Sequence, residues 1–323
     1  LRKLGNDVTH AAIQNDWRKN DIQIILNSNK RGLIGKVITY KNCLSVLKHR
    51  SFDLVLLMSL NPFPRIINNY ILEKIIFNSE KTFLCIAGCD TNFWNWSKLE
   101  NYELCFPCLV YDQKKSICNC TKYEKQDNHI IQEVDRIIPF GYEYYQAYKS
   151  YEKVTEPFPL AIKSTRRPID NCDNKLNNFF HGLNRYGFKG TFIVEKVFQE
   201  LSQKYANQNF LIKGKMTLKD YMDLLNKQDV IVDQMFTKTL AMNALKCMEM
   251  GKIVISSKIT NSWYSENEVP VIQCKSNSES LSKAIVDIIE NPHHYIKLRE
   301  ESKLFVQNYH SPELVARKIL NLT

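Results

Sequence analysis

The chain lacks any apolar run long enough to cross a membrane. The segment DLVLLMSL at 53–60 has the length of a buried strand, whereas a spanning helix needs roughly 20 apolar residues. Acidic residues are also few: 34 Asp and Glu stand against 44 Lys and Arg, for a net charge of +10 and a pI near 9.0. This balance predicts an anionic partner, which could be a nucleic acid, a lipid headgroup or a phosphorylated small molecule.

No nucleic-acid recognition module is present, and the basic residues are spread along the chain, so we expect no nucleic acid as partner. The content of 44% hydrophobic and 24% charged residues excludes a disordered chain. A length of 323 residues suits two domains. The opening LRKLGNDVT has the pattern of a helix end followed by a strand, so the first unit is expected to lack its first strand.

The first half alternates strand and helix patterns, which predicts a Rossmann-like N-terminal domain over 1–150, followed by a linker over 151–176. Apolar runs at 53–59 and 82–87 predict parallel strands, and 43–47 fits a short helix. Asp90 follows the second of these strands. Because ligands bind beyond the carboxyl ends of such strands, Asp90 is a candidate catalytic residue, with a helix cap as the alternative.

A cysteine-rich insertion over 91–127 interrupts the alternation. Cys105 and Cys108 form a C-x2-C pair, and Cys118 and Cys120 form a C-x-C pair nine residues later. Four thiolates at such spacings can hold a structural zinc ion. The alternative is that they are free, buried cysteines that pack as small apolar side chains.

The second half opens with NNFFHGLNRYGFKGT at 177–191, a pattern that predicts a strand, a glycine-containing loop and a helix start. Free backbone N–H groups at a helix start attract anions. Arg185 and Lys189 add two cations beside Gly182 and Gly190, which predicts a diphosphate clamp. The alternative is a solvated basic loop between a core strand and a surface helix.

The α/β rhythm then continues to the end of the chain. A strand at 210–212 precedes Lys215, and a strand at 230–232 precedes Asp233 and Gln234. Further strands are predicted at 253–256 and 269–272. The pattern predicts a C-terminal domain over 177–310 and a last helix over 311–323 that packs back toward the first domain.

At this point the residues resemble the GT-B glycosyltransferases, in particular family 4, the retaining enzymes that use nucleotide sugars. The resemblance covers about 177–323. It rests on the order and spacing of four stretches: HGLNRYGFKGT, NKQDVIVDQMF, ALKCMEMGKIVIS and ENPHHYIKLREESKLFVQNYHSPELVARKIL. It implies two Rossmann-like domains that face each other across a cleft.

The resemblance also implies roles for individual residues. Arg185 and Lys189 fall on the cations that grip the donor diphosphate and, with Asp90, are the catalytic candidates. Two cations and a helix terminus can stabilise the leaving diphosphate, so no catalytic cofactor is expected, and the only metal considered is the structural zinc. The full set of candidate donor-binding residues is Gly182, Arg185, Lys189, Gly190, Lys215, Asp233, Gln234, Thr237, Lys238, Thr239 and Leu240.

Three departures from the family pattern put activity in question. The paired glutamates of the family fall on Lys238 and Lys246, and a lysine cannot accept hydrogen bonds from ribose hydroxyls. Glu249 is the candidate replacement, from the next turn. The usual histidine of the first domain falls on Ala87, and the loop at 237–240 has no glycine.

The implied function is transfer of a sugar from a nucleotide sugar to a glycan or lipid-linked acceptor in lipopolysaccharide or capsule biosynthesis. The alternative is an inactive GT-B scaffold that binds a sugar nucleotide or a partner. Ten cysteines and no visible signal peptide predict reduced thiols and a cytoplasmic location. The basic residues Lys41, Lys48, His49 and Arg50 suggest contact with the inner face of the membrane, and the alternative is that they are ordinary solvated side chains.

The cysteine cluster yields a direct test. If the four thiolates bind zinc, the purified protein should carry about one zinc ion per chain. Cys108→Ser should then lower the free energy of unfolding, because it loosens the 91–127 segment. Metal analysis that finds no zinc in protein prepared without chelator would exclude the site.

Overall fold

The computed structural model describes residues 1–13, 22–30, 32–48, 51–64, 66–100, 124–164, 176–183, 186–260 and 269–323. Its α/β architecture with parallel sheets confirms the predicted fold class. Within these ranges no helix is both long and apolar enough to cross a membrane.

The first half contains two parallel sheets. Strands β1 and β2 form one sheet, and β3, β4 and β5 form the other in that order. Single 3-10 turns occur at Arg2–Leu4 and Val46–Lys48. In chain order the elements are β1 Ala11–Ala12, β2 Ile24–Ile25, α1 Gly32–Ser45, β3 Phe52–Leu57, α2 Asn68–Phe77, β4 Ser79–Ile86, α3 Thr91–Leu99, α4 Glu124–Glu133, β5 Arg136–Pro139 and α5 Tyr142–Tyr148.

Two predictions for the first half were wrong. The short helix expected at 43–47 is the end of the fourteen-residue helix α1. The insertion expected over 91–127 has helices at both ends, α3 and α4. Helix α3 forms because Asp90 caps it and because its aromatic residues Phe93 and Trp94 are buried. The four candidate zinc ligands lie outside the described residues.

The second half contains one five-stranded parallel sheet with the order β10-β9-β8-β6-β7. The last strand lies three residues later than predicted. In chain order the elements are β6 Asn178–Leu183, α6 Thr191–Lys204, β7 Asn209–Gly214, α7 Leu218–Asn226, β8 Val230–Val232, α8 Met242–Glu249, β9 Ile253–Ser257, β10 Ile272–Cys274, α9 Ser278–Glu290, α10 Pro292–His310 and α11 Pro312–Leu320.

Both faces of this sheet are buried, as the continuous apolar strands predict. Phe179 and Val230 enter a cluster with the apolar side of α6, whereas Phe180 and Ile231 enter a second cluster with α8. All four side chains are fully buried. The helices therefore cover the sheet on both sides, which leaves its strand ends as the place where ligands can bind.

The last helix packs against the sheet of the first half. Val315 and Ile319 of α11 share a cluster with Phe83 of β4 and Ile138 of β5. Phe158, from the segment that joins the halves, belongs to the same cluster. This apolar contact joins the end of the chain to the first half.

Shortening Ile319 should destabilise the protein. Ile319→Ala leaves a cavity between α11 and β4–β5, and such substitutions cost roughly 2–5 kcal/mol of unfolding free energy. The control is Leu304→Ala on the neighbouring helix, where the side chain is 56% exposed and the cost should be below about 0.5 kcal/mol. Denaturant unfolding measures both variants, and equal losses would contradict the packing.

Candidate functional site at the strand crossover

The candidate site lies where the strand order of the second sheet reverses. After β6 the chain passes to β7 on one side, and later to β8 on the other side of β6. The loops that follow β6 and β8 therefore leave neighbouring strands in opposite directions. Such a crossover opens a crevice at the carboxyl ends of the strands, where parallel α/β sheets bind ligands.

Gly190 allows the two loops to meet. It adopts φ 70° as the residue before α6, a conformation that favours glycine. A Cβ at this position would lie 2.6 Å from Cβ of Met235 in the other loop. The Met235 N–H also donates to the Lys189 carbonyl at 3.3 Å. The start of α6 thus packs directly against the loop that follows β8.

Lys189 and Asp233 form a buried ion pair across this junction. The Lys189 Nζ lies 3.3 Å from Asp233 Oδ1, and the two side chains are 6% and 1% exposed. Asn243 Nδ2 donates to the same carboxylate oxygen at 2.7 Å. Lys189 is therefore not solvated, as the alternative of a basic surface loop would require. The Lys189 side chain is held in place at the start of α6, so it would lose little conformational freedom if an anion bound there.

Two acceptors beside this pair have no hydrogen-bond partner among the described residues. They are Asp233 Oδ2 and Gln234 Oε1, both buried. A buried carboxylate oxygen without a donor is costly, which is typical of sites that hold a ligand. Hydroxyl groups are the ligand chemistry that suits two such acceptors.

His181 lies beneath the start of α6 and was not recognised in the sequence. Its Nδ1 is 2.8 Å from the Val232 carbonyl and its Nε2 is 2.9 Å from Thr191 Oγ1. Burial, with the charge of Lys189 as second cause, lowers the pKa of His181 from 6.5 to about 4. The ring is therefore neutral at pH 7. Nδ1 donates to the carbonyl and Nε2 accepts from the Thr191 hydroxyl, which ties β8 to α6.

A carboxylate from the first half reaches the predicted donor loop. Glu143 of α5 is buried and accepts hydrogen bonds from the Lys238 backbone N–H and the Thr239 hydroxyl. The Tyr142 N–H donates to Thr239 Oγ1 at 2.9 Å. Burial raises the pKa of Glu143, and its two hydrogen bonds oppose that shift. This contact between distant parts of the chain had no signal in the sequence.

The other members of the loop have structural contacts. Thr237 Oγ1 donates to the Thr239 carbonyl at 2.9 Å, and Leu240 is buried in the apolar core. Lys246 lies beyond the loop, on α8, at the second position where the resembled family has a glutamate. Its Nζ lies 3.1 Å from Glu249 Oε2. Glu249 is fully buried, and Ser164 Oγ donates to its other oxygen at 3.1 Å.

Asp90 caps a helix, as one of its two interpretations predicted. Its Oδ1 accepts from the Phe93 N–H at 2.8 Å, and its Oδ2 accepts from the Tyr148 hydroxyl at 2.7 Å. Burial raises the pKa of the Asp90 carboxyl. Both oxygens thus have donors within the first half, and a catalytic role for Asp90 stays a prediction.

Three candidate residues remain: Lys215, Gly182 and Arg185. Lys215 is exposed, at the end of β7 beside β6, with φ 55°. Gly182 is buried on β6, where a Cβ would lie 3.3 Å from the Tyr221 hydroxyl. Arg185 lies outside the described residues.

Within the described ranges, no group of three or more His, Cys, Asp or Glu residues could hold a metal ion.

Comparison with known proteins places the fold. No protein-family model matches the chain, and no curated protein matches it. A variant of TarM from S. aureus, in complex with Fondaparinux, alpha-GlcNAc-glycerol and UDP, matches with a TM-score of 0.60 and 11% identity, over 88% of this chain and 58% of that one. A glycosyltransferase from Rickettsia africae ESF-5 matches with a TM-score of 0.60 and 15% identity, over 99% and 90%. WaaG, a glycosyltransferase involved in lipopolysaccharide biosynthesis, matches with a TM-score of 0.52 and 12% identity, over 98% and 91%.

At these identities the likeness shows the fold alone. The chain has the GT-B fold of these glycosyltransferases, which confirms the predicted fold. It spans little more than half the length of the TarM chain and nine-tenths of the other two.

The buried histidines make stability depend on pH. His310 is also buried, and its pKa is lowered from 6.5 to about 4. As the pH falls below 6.5, these two histidines become protonated in the unfolded chain, whereas in the folded chain they stay neutral until about pH 4. The contribution of the two histidines to the free energy of unfolding is therefore fully present above this window and falls within it, by about 1.4 kcal/mol per pH unit for each histidine. The raised pKa values of the buried carboxyls Asp90 and Glu143 act in the opposite direction.

Single substitutions separate the two contributions. His181→Gln and His310→Gln should each remove one histidine's contribution to the slope, about 1.4 kcal/mol per pH unit, as measured by denaturant unfolding across the window. A slope that His181→Gln leaves unchanged would mean that His181 is not buried in its neutral form.

Proposed function

We propose that the chain is a glycosyltransferase that transfers a sugar from a nucleotide-sugar donor to a glycan or lipid-linked acceptor in surface-polysaccharide biosynthesis. The observation that carries this proposal is the buried Lys189–Asp233 pair at the crossover of a GT-B fold. A fixed ammonium group at a helix start suits a diphosphate, and unpartnered acceptors beside it suit sugar hydroxyls.

The proposed mechanism relies on electrostatic stabilisation of the leaving group. As the bond between sugar and diphosphate breaks, negative charge grows on the diphosphate. Lys189, together with Arg185 and the N–H groups at the start of α6, stabilises that charge without a metal ion. Attack by the acceptor on the same face as the departing diphosphate retains the anomeric configuration, the outcome implied by the family 4 resemblance.

UDP is the first nucleotide to test, because the TarM structure contains it. A polysaccharide acceptor is supported by WaaG, which is involved in lipopolysaccharide biosynthesis. A thermal-shift screen against nucleotide sugars identifies the base and the sugar, since a ligand that binds only the folded state raises the unfolding midpoint.

An inactive scaffold is the second candidate, and one observation favours it. Lys246, at a position where the resembled family has a glutamate, is paired with the buried Glu249, which is also bonded to Ser164. With both oxygens of Glu249 bonded, that carboxylate has less capacity to accept from a ribose. Transfer or hydrolysis of any nucleotide sugar by the purified protein would exclude the scaffold.

Loss of Arg185 should weaken binding of the nucleotide. A charge-assisted hydrogen bond to a phosphate contributes roughly 1.5–3 kcal/mol. Arg185→Ala should therefore raise the Kd for UDP by about ten- to a hundredfold in calorimetric titration. Transfer should fall by at least the same factor, because the diphosphate gains charge in the transition state.

The matched control is Lys196→Ala, which removes a cation from the exposed side of α6. This variant should bind UDP as the wild type does. Equal affinities for wild type and Arg185→Ala would end the clamp hypothesis and favour the plain basic loop.

A further inference from the structure

The Asp233 side chain accepts hydrogen bonds from the described residues on one carboxylate oxygen only. Its Oδ1 lies 3.3 Å from the Lys189 Nζ and accepts from Asn243 Nδ2 at 2.7 Å, whereas its Oδ2 has no partner in that part of the chain. The side chain is 1% exposed, so bulk water does not supply the missing donor. The carboxylate therefore has one oxygen bonded to the protein and one oxygen open to a ligand.

Asn243 is the neutral donor to Asp233, and Tyr221 holds Asn243 in place. The Tyr221 hydroxyl, on α7, donates to Asn243 Oδ1 on α8. Burial raises the pKa of Tyr221, so the hydroxyl keeps its proton near neutral pH and remains a donor. Because Oδ1 of the amide accepts from this hydroxyl, Nδ2 of the same amide points at Asp233. A chain of hydrogen bonds thus runs from Tyr221 through Asn243 to Asp233.

Gly182 leaves the space that the Tyr221 hydroxyl occupies. A Cβ at position 182 on β6 would lie 3.3 Å from the hydroxyl oxygen, which is a tight contact. The Tyr221 ring also packs against Phe180 of β6, with 6.1 Å between the ring centroids. Packing against β6 therefore fixes the ring, and the absence of a side chain at Gly182 lets its hydroxyl reach Asn243.

We propose that Tyr221 and Asn243 are positioning residues that orient Asp233, so that its Oδ2 accepts a hydrogen bond from a hydroxyl group of the donor sugar. This role rests on the proposed function. Asn243 and Lys189 both bond to Oδ1, so the carboxylate keeps one orientation before the donor arrives. A sugar hydroxyl at Oδ2 then supplies the donor that the protein does not.

The open end of this chain favours a ligand over a purely structural role. A network that only stabilised the fold would satisfy its buried acceptors, because a buried acceptor without a donor lowers stability. Here the network ends on Asp233 Oδ2, beyond the carboxyl end of β8 and beside Gln234, whose Oε1 also has no partner among the described residues. The arrangement therefore suits the bound state better than the free protein.

Calorimetric titration of the complete chain with UDP-glucose and with UDP tests this role. Tyr221→Phe removes one neutral hydrogen bond and should raise the Kd for UDP-glucose about three- to tenfold. Asn243→Leu keeps the shape of the side chain but removes the donor to Asp233 itself, so it should raise that Kd by at least as much. Both variants should bind UDP as the wild type does, because UDP lacks the transferred sugar. A general loss of structure would weaken both ligands alike.

The double variant tests whether Tyr221 acts through Asn243. If it does, Tyr221→Phe/Asn243→Leu should lose no more affinity for UDP-glucose than Asn243→Leu alone. Two losses that multiply would overturn the proposal, because each residue would then act independently. The matched control is Tyr205→Phe, which removes a hydroxyl that donates to Glu290 Oε1 at 2.9 Å, at the other end of α6. This variant should bind both ligands as the wild type does.

The outcomes separate this role from the proposed function. If the wild type binds neither UDP nor UDP-glucose, the proposed function fails for uridine nucleotides, and the positioning role fails with it. If the wild type binds both ligands, but Tyr221→Phe and Asn243→Leu weaken the two equally or weaken neither, only the positioning role is overturned. A loss confined to UDP-glucose supports it.

Discussion

The buried Lys189–Asp233 pair fixes the geometry on which the candidate site depends. The strand order forces the loops after β6 and β8 apart, and the ion pair, Gly190 and the Met235 N–H bring them back together. Two charges with almost no exposure are stable only when they neutralise each other and are hydrogen-bonded further, and here Asn243 donates to the Asp233 carboxylate. The result is a fixed ammonium group at a helix start, which is the feature on which the proposed diphosphate site rests.

The site depends on contacts from both halves of the chain. Glu143 holds the loop at 237–240 through the Lys238 N–H and the Thr239 hydroxyl, and α11 packs on β4 and β5. Glu143 also binds an amide of the loop in which the resemblance places phosphate contacts. One buried carboxylate of the first half therefore hydrogen-bonds directly to this loop of the second half.

The sequence was most informative where side-chain pattern and burial coincide. Strands β8 and β9 have buried residues on both faces, so their short apolar runs identified them correctly, and β6 was identified from Phe179 and Phe180. The turn at Gly190 was likewise predicted, because a positive φ before a helix leaves few alternatives to glycine. The order of the strands was not predicted, because periodicity along the chain carries no information on which strands pair.

Other features could not be predicted because their causes lie outside the local sequence. Helix α1 buries the small residues Gly35, Thr39 and Cys43 and exposes larger apolar ones, so its periodicity did not mark a core-facing helix and only its last turn was expected. Helix α3 was missed because its aromatic residues were interpreted as a break in the pattern. The roles of His181 and Glu143 depend on partners 51 and about 95 residues away, a separation that no motif encodes.

The central claim is that a nucleoside diphosphate binds where β6 and β8 diverge. The most direct measurement is a crystal structure of the protein with UDP. The account predicts that the diphosphate lies at the start of α6, within hydrogen-bond distance of Lys189 or of the N–H groups that follow it. Density for UDP at any other place on the protein, with this crevice empty, would contradict the account.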